Sequence, residues 1–236
     1  ALAALILLAN AVPANTITAY TYYDGMGQVS AEVDGENYLT TYSYDTAGNR
    51  TGSTRFATKV SGTPPVGGTP PTVATTPQDQ TASATWTAFN QLNTQTGVDG
   101  TLTRHAYDLT GHRISTVSAE ATSDVRTTQA RYDLQGRLVQ ELSGVGSLAL
   151  AALGGSPTQA AIDGVWTNYG TTYTYDAAGR RTKATDPLGN ITLYFYDADN
   201  RLTFSVRRIA DPATAGQFLG EVSRRQYNVL GQLTAD

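Results

Sequence analysis

The side chains able to do chemistry in this sequence are few and widely scattered. There is no cysteine, which excludes disulfides, thiolate metal sites and a cysteine nucleophile. The two histidines, His105 and His112, flank one short stretch and could meet diagonally across a hairpin. Without a third ligand they read as plain sheet residues and not as a zinc site. No Gly-x-Ser-x-Gly elbow is present, and no glycine-rich phosphate loop follows a strand pattern. Acid pairs for glycoside cleavage need only meet in space, and nothing singles one out. What does recur is aspartate after tyrosine: Asp24, Asp45, Asp108, Asp133, Asp176 and Asp197 follow Tyr23, Tyr44, Tyr107, Tyr132, Tyr175 and Tyr196. Lying about a repeat apart, these acids do not converge into the roughly six to eight oxygen ligands of a calcium cage. The expectation is no enzyme, no cofactor and no metal.

The acids make better sense as turn residues. Each Tyr-Asp pair is followed by glycine at Gly27, Gly48, Gly111, Gly136 and Gly179, or by Asn200, three positions after the aspartate. Tyr227-Asn228 with Gly231 closes the series. Asp or Asn at the first position and Gly at the fourth suit a type I turn, whose carboxylate accepts a backbone N–H two residues on. The glycine takes a positive φ and returns the chain to its ladder through a bulge. Asn200 stands in because asparagine tolerates that conformation best among other residues. A degenerate copy is read at Phe89-Asn90-Gln91-Leu92-Asn93, with Asn93 in the glycine place. Steps between leading aromatics are then 21, 45, 18, 25, 43, 21 and 31. The commonest is 21, and two lie near its double.

The flanks must be strands to position such turns. Tyr42-Ser43-Tyr44, Tyr173-Thr174-Tyr175 and Tyr194-Phe195-Tyr196 set aromatics at alternate positions on one sheet face. Two strands of about six residues and their turns account for the period. Cross-strand Tyr–Arg stacking is expected to hold each hairpin. Weaker turns at Asp34-Gly35, Asp99-Gly100 and Asp186-Pro187-Leu188-Gly189-Asn190 give each unit a turn at both edges. A two-stranded unit cannot bury its face alone, so neighbours stack. The expected fold is all-β: stacked antiparallel hairpins in a spiralling sheet, with short helical insertions.

The chain reads as a single repeat segment over residues 1–236 of something longer. Insertions fall between repeats: a Pro/Gly/Thr-rich exposed loop at 60–81, and a helical or loop segment at 143–168. Ser156-Pro157 suggests a helix start, and Asp211-Pro212 another ahead of Ala213 to Leu219. Ala1 to Ala9 and Val12-Pro13-Ala14 could pass for a signal sequence without its charged start, but a similar apolar run at Leu148 to Leu153 in mid-chain favours reading both as ordinary apolar segments. Neither reaches the ~20 apolar residues of a membrane span. Charged residues make up 15% of the chain, the net charge is −4, and only Lys59 and Lys183 are lysines. That balance offers no electrostatic reason to bind nucleic acid or anionic lipid.

With Tyr-Asp-x-x-Gly-Arg-Leu in hand at 132–138, the chain resembles the RHS/YD-repeat family of bacterial polymorphic toxins, insecticidal toxin complex C components and teneurin ectodomains. The resemblance covers about Tyr20 to Leu233. It implies a β-strip that spirals into a hollow shell, enclosing an effector in toxins and serving adhesion in teneurins. The implied role is a non-catalytic section of such a shell, secreted or at a bacterial surface. Partners would be the rest of the parent polypeptide or identical copies through sheet edges, with a toxin cargo admitted. The alternative is an adhesin-like module whose aromatic face engages glycans or cell-surface proteins. Asp186-Pro187-Leu188-Gly189 resembles the family's autoproteolytic element, but it sits between ordinary repeats and reads as a turn.

Overall fold

A computed structural model describes residues 17–210 and 217–235. The apolar start, with Ala1 to Ala9 and Val12-Pro13-Ala14, lies outside the described residues, as does the 211–216 part of the second helix start. The chain forms two compact units that divide between Thr103 and Arg104. Both are almost entirely antiparallel β.

In the first unit β1 (Tyr20–Tyr23), β2 (Val29–Val33), β3 (Tyr38–Tyr44), β4 (Arg50–Lys59), β5 (Gln80–Trp86) and β6 (Leu92–Thr96) each pair with the next. Tyr22, Ala31, Val33 and Leu39 project from one face and are buried together with Val60. The 60–79 segment is therefore more than an exposed loop. Val60 and Val73 pack on this face, and the Tyr22 hydroxyl donates to the Pro65 carbonyl at 2.7 Å. Tyr42 and Tyr44 alternate onto the opposite face.

The second unit takes most of β7 (Leu102–Tyr107), followed by β8 (Arg113–Ser118), β9 (Arg126–Tyr132) and β10 (Leu138–Leu142). Helices α1 (Gly144–Ala151) and α2 (Gln159–Tyr169) come next. Pairing resumes through β11 (Gly170–Tyr175), β12 (Arg181–Thr185), β13 (Ile191–Tyr196), β14 (Leu202–Ala210) and β15 (Phe218–Arg224). A separate hairpin, β16 (Gln226–Tyr227) with β17 (Leu233–Ala235), ends the described chain. The helices cover the face that bears Leu142, burying it with Val165 and Trp166. Arg131 on β9 fixes α2 from below, paired with Asp163 at 3.0 Å and lying 4.4 Å from the centre of the Trp166 ring.

Two helix expectations need correction. The cap of α2 is Thr158, whose hydroxyl accepts the Ala161 N–H, and not Ser156; Pro157 belongs to the extended approach. Phe218 and Leu219, assigned from sequence to a helix, begin β15. Seven consecutive pairings with β14 outweigh a weak local helix start there.

Among the described residues only eight apolar side chains besides Pro64 are buried, all in the two clusters beneath insertions. Elsewhere the strands must be held by something other than a hydrophobic core.

Candidate functional site

That other means is the turn. Eleven five-residue turns of one design occur among the described residues, beginning at 24, 34, 45, 87, 97, 108, 133, 176, 186, 197 and 228. In each, the first residue's N–H donates to the fifth residue's carbonyl, and the fourth residue's N–H donates back to the first carbonyl. The fourth residue always has a positive φ, between 58° at Asn90 and 91° at Gly111. In ten of the eleven a side-chain oxygen at the first position accepts the N–H groups of the third and fifth residues. Gly97, which has no side chain, is the exception, and Asp99 accepts from Thr101 instead. A register shift beside the leading aromatic follows, as a turn closed by a bulge requires.

Tyr23, Asp24 and Gly27; Tyr44, Asp45 and Gly48; and Tyr107, Asp108 and Gly111 thus occupy equivalent places. So do Tyr132, Asp133 and Gly136; Tyr175, Asp176 and Gly179; Tyr196, Asp197 and Asn200; and Tyr227, Asn228 and Gly231. The degenerate copy lies in a different frame from the one its sequence suggests. Its leading aromatic is Trp86, Thr87 replaces aspartate, and Asn90 takes the left-handed place, whereas Asn93 lies inside β6. In this frame the steps from Tyr44 become 42 and 21, a signal available in the spacing. The turns at Asp34 and Asp186 are no weaker than the others; in the first, Asn37 and not Gly35 carries the positive φ.

The leading aromatic does more than pack. Its polar tip reaches back to the preceding Tyr-Asp hairpin and donates to the carbonyl of the residue paired with that hairpin's own aromatic. The Tyr44 hydroxyl bonds Val29 at 2.8 Å, Tyr132 bonds Arg113 at 3.1 Å, and Tyr175 bonds Leu138 at 2.6 Å. Tyr196 to Arg181 and Tyr227 to Leu202 are both 2.9 Å. Trp86 keeps the rule with its indole N–H on Arg50 at 3.0 Å. This ladder was not foreseen from the sequence.

The fifth turn residue adds a clasp. Arg137, Arg180 and Arg201 each bind their own turn's aspartate at 2.7 Å, then lie 4.9, 5.1 and 5.2 Å from the ring centre of the next leading tyrosine. The motif arginine therefore links successive hairpins. Stacking within one hairpin does occur, but through other pairs: Arg50 on Tyr42, Arg55 on Tyr38 and Arg181 on Tyr173. Asn49 joins Asp45 to Asn90 of the next turn, and Arg180 likewise reaches Asn200. His112 holds the same fifth place, bonded to Thr110 and Asp108 and stacked on Tyr132 at 4.8 Å. His105 instead bonds Thr116 across its hairpin. Each histidine has its own partner, and no cluster able to hold a metal ion occurs among the described residues.

These bonds favour charged carboxylates. A hydrogen bond from the Thr110 hydroxyl leads those that pull Asp108 down to about 2. Backbone N–H groups of Arg137, Arg180 and Arg201 lead in lowering Asp133, Asp176 and Asp197. Burial, then a hydrogen bond to Glu32 or Glu141, pushes Tyr42 and Tyr173 up to about 12.

Within each unit the Tyr-Asp turns join odd to even strands and so share one border of that unit's sheet, the Tyr227-Asn228 turn of the separate β16–β17 hairpin apart. In each unit the large insertion falls on that unit's other border, with the turns at 34 and 97 in the first and the turn at 186 in the second.

The RHS Repeat family model matches residues 167–191 and 175–212, the stretch where turns, ladder and clasps are all present. Residues 167–212 carry RHS repeats. Solved structures share the fold over a longer span. A crystal structure of TcdB2-TccC3 without its hypervariable C-terminal region superposes with a TM-score of 0.60 at 17% identity, covering 98% of this chain and 11% of the other. The Tc holotoxin pore of Photorhabdus luminescens gives 0.59 at 18% identity, covering 94% of this chain and 10% of the other. A TcdB2-TccC3-Cdc42 crystal structure gives 0.57 at 17%, covering 89% and 10%. The chain spans about a tenth of the length of the solved chains it matches. A search of curated proteins finds no match. No helix among the described residues is long and apolar enough to cross a membrane.

Proposed function

We propose that this RHS-repeat chain is a non-catalytic section of a shell that encloses or displays a toxin or effector, in a protein secreted or held at a bacterial surface. The observation that carries this reading is the ladder. Six hairpins are bonded to the one before through a tyrosine or tryptophan tip, so the polar chemistry of the repeat is directed at its own continuation. The turn acids support an architectural role, because each is engaged by two N–H groups of its own turn. The same geometry favours a scaffold over an adhesin that binds glycans on its tyrosines: Tyr42 and Tyr173 give their hydroxyls to Glu32 and Glu141. Its partners would be further repeats of the parent polypeptide, or copies meeting through sheet edges, and an enclosed cargo.

The test is electron cryomicroscopy of the full reading frame that contains this chain, with protease challenge of whatever segment follows the repeats. The expected result is a continuous coiled strip whose following segment resists digestion until the strip is denatured. A segment cut as quickly before denaturation as after it would overturn enclosure, and an open strip would overturn the shell.

A further inference from the structure

The ladder face has a second row, two residues before each leading aromatic. There Tyr42 and Tyr173 donate to Glu32 at 2.7 Å and to Glu141 at 2.9 Å. Each glutamate stands three residues after the ladder's carbonyl acceptor, Val29 or Leu138. The same count from Trp86 and its acceptor Arg50 reaches Ala84 and Ser53. From Tyr132 and its acceptor Arg113 it reaches Ala130 and Thr116. Both members of the Tyr–Glu pair are thus shortened together, at two places.

Both places are hollow. At Ala84 and Ser53 a groove of about 480 Å³ opens, within the range of roughly 300–1,000 Å³ typical of ligand sites. At Ala130 and Thr116 a smaller one of about 180 Å³ is found. Arg50, Ser53, Ala82, Ala84, Trp86 and Gln95 line the larger. Arg50 lies 5.3 Å from the centre of the Tyr42 ring and forms no ion pair among the described residues.

We propose that this groove takes a tyrosine side chain presented by an acidic peptide segment, restoring from outside the ring and carboxylate that the repeat lacks here. Ala84 makes the floor at the place where a phenol ring lies in sister repeats. The Trp86 indole and the planar guanidinium provide surfaces on which a ring packs. Arg50 offers the guanidinium that an adjacent carboxylate would engage in a charge-assisted bond. The inference does not depend on the shell reading, since binding here requires no enclosure.

Saturation-transfer NMR on the chain tests it, with N-acetyl-Glu-Tyr-amide, N-acetyl-Glu-Ala-amide and glucuronate as probes. The tyrosine peptide is expected to receive saturation on its ring protons, and the alanine peptide and glucuronate little. Ala84→Tyr combined with Ser53→Glu rebuilds the internal pair; it should abolish the signal while melting no lower than the parent. Arg50→Gln should weaken the tyrosine peptide by about tenfold. Equal transfer to the alanine peptide, preference for glucuronate, an intact signal in the rebuilt variant, or no transfer at all would each overturn the proposal. Unchanged affinity in Arg50→Gln would overturn its carboxylate half.

Discussion

Replacing Tyr196 with phenylalanine removes one oxygen atom and leaves the ring where it is. The lost group donates to the Arg181 carbonyl at 2.9 Å, one rung of the ladder, while Arg180 stays 5.1 Å from the ring centre. A hydrogen bond of this kind contributes about 0.5–1.5 kcal/mol net, more when the abandoned carbonyl is shut off from water. Tyr196 is half-buried, so about 1 kcal/mol is expected. For a domain of this size that lowers Tm by roughly 2–6 °C. Chemical denaturation of Tyr196→Phe, Tyr196→Ala and Arg180→Met, singly and combined, separates rung from clasp. Phenylalanine retains the cation–π surface, so Tyr196→Phe and Arg180→Met should add. Tyr196→Ala removes that surface, so it should couple to Arg180→Met by about 0.5–1 kcal/mol. A Tyr196→Phe protein as stable as the parent would refute the ladder as a stabilising element. Additivity of Tyr196→Ala with Arg180→Met would refute the clasp.

Other expectations follow from the same geometry. Asn37 holds a φ of 69°, so Asn37→Val should cost about 1–2 kcal/mol and Asn37→Gly should not, by equilibrium unfolding. Asp45, Asp108, Asp133, Asp176 and Asp197 are lowered on folding, so they add stability above their unfolded value near 4. The melting temperature should hold down to about pH 4 and then fall toward pH 2, less steeply in Asp108→Asn. Tyr42 and Tyr173 are raised to about 12, so their contribution is full below about pH 10 and lost as pH climbs through 12. Tyrosinate absorbance should show Glu32→Gln and Glu141→Gln shifting one late-titrating group each toward 10. Trp166, 4% exposed, anchors α2, so Trp166→Ala should cost about 3–5 kcal/mol and open 143–169 to protease.

Turn chemistry is local, which is why the sequence displays it so fully. Asp, Gly and Asn act within five residues of one another, and their spacing alone gave the hairpins and the all-β class. The misplaced frame at Phe89 shows the limit: with Thr87 for aspartate and tryptophan for tyrosine, composition misled, although the 42 and 21 steps pointed to Trp86. The ladder was hidden because its partners lie 15 to 37 residues apart and its acceptor is a carbonyl that every residue possesses. The grooves were hidden for a related reason. Ala84 and Ser53 are unremarkable until register shows that they replace a Tyr–Glu pair. Fold was therefore legible in residue types, and the site only in their pairing.

A five-residue loop with an obligatory bulge has one permitted pairing, so each Tyr-Asp turn counts the chain afresh. A slip introduced by the twenty residues between Lys59 and Gln80, or by the two helices, is cancelled at the next such turn. Inserts of any length can then accumulate along the opposite border without shifting the phase of the strands beyond them. The repeat behaves as an error-correcting frame, and its freedom to vary is confined to one side.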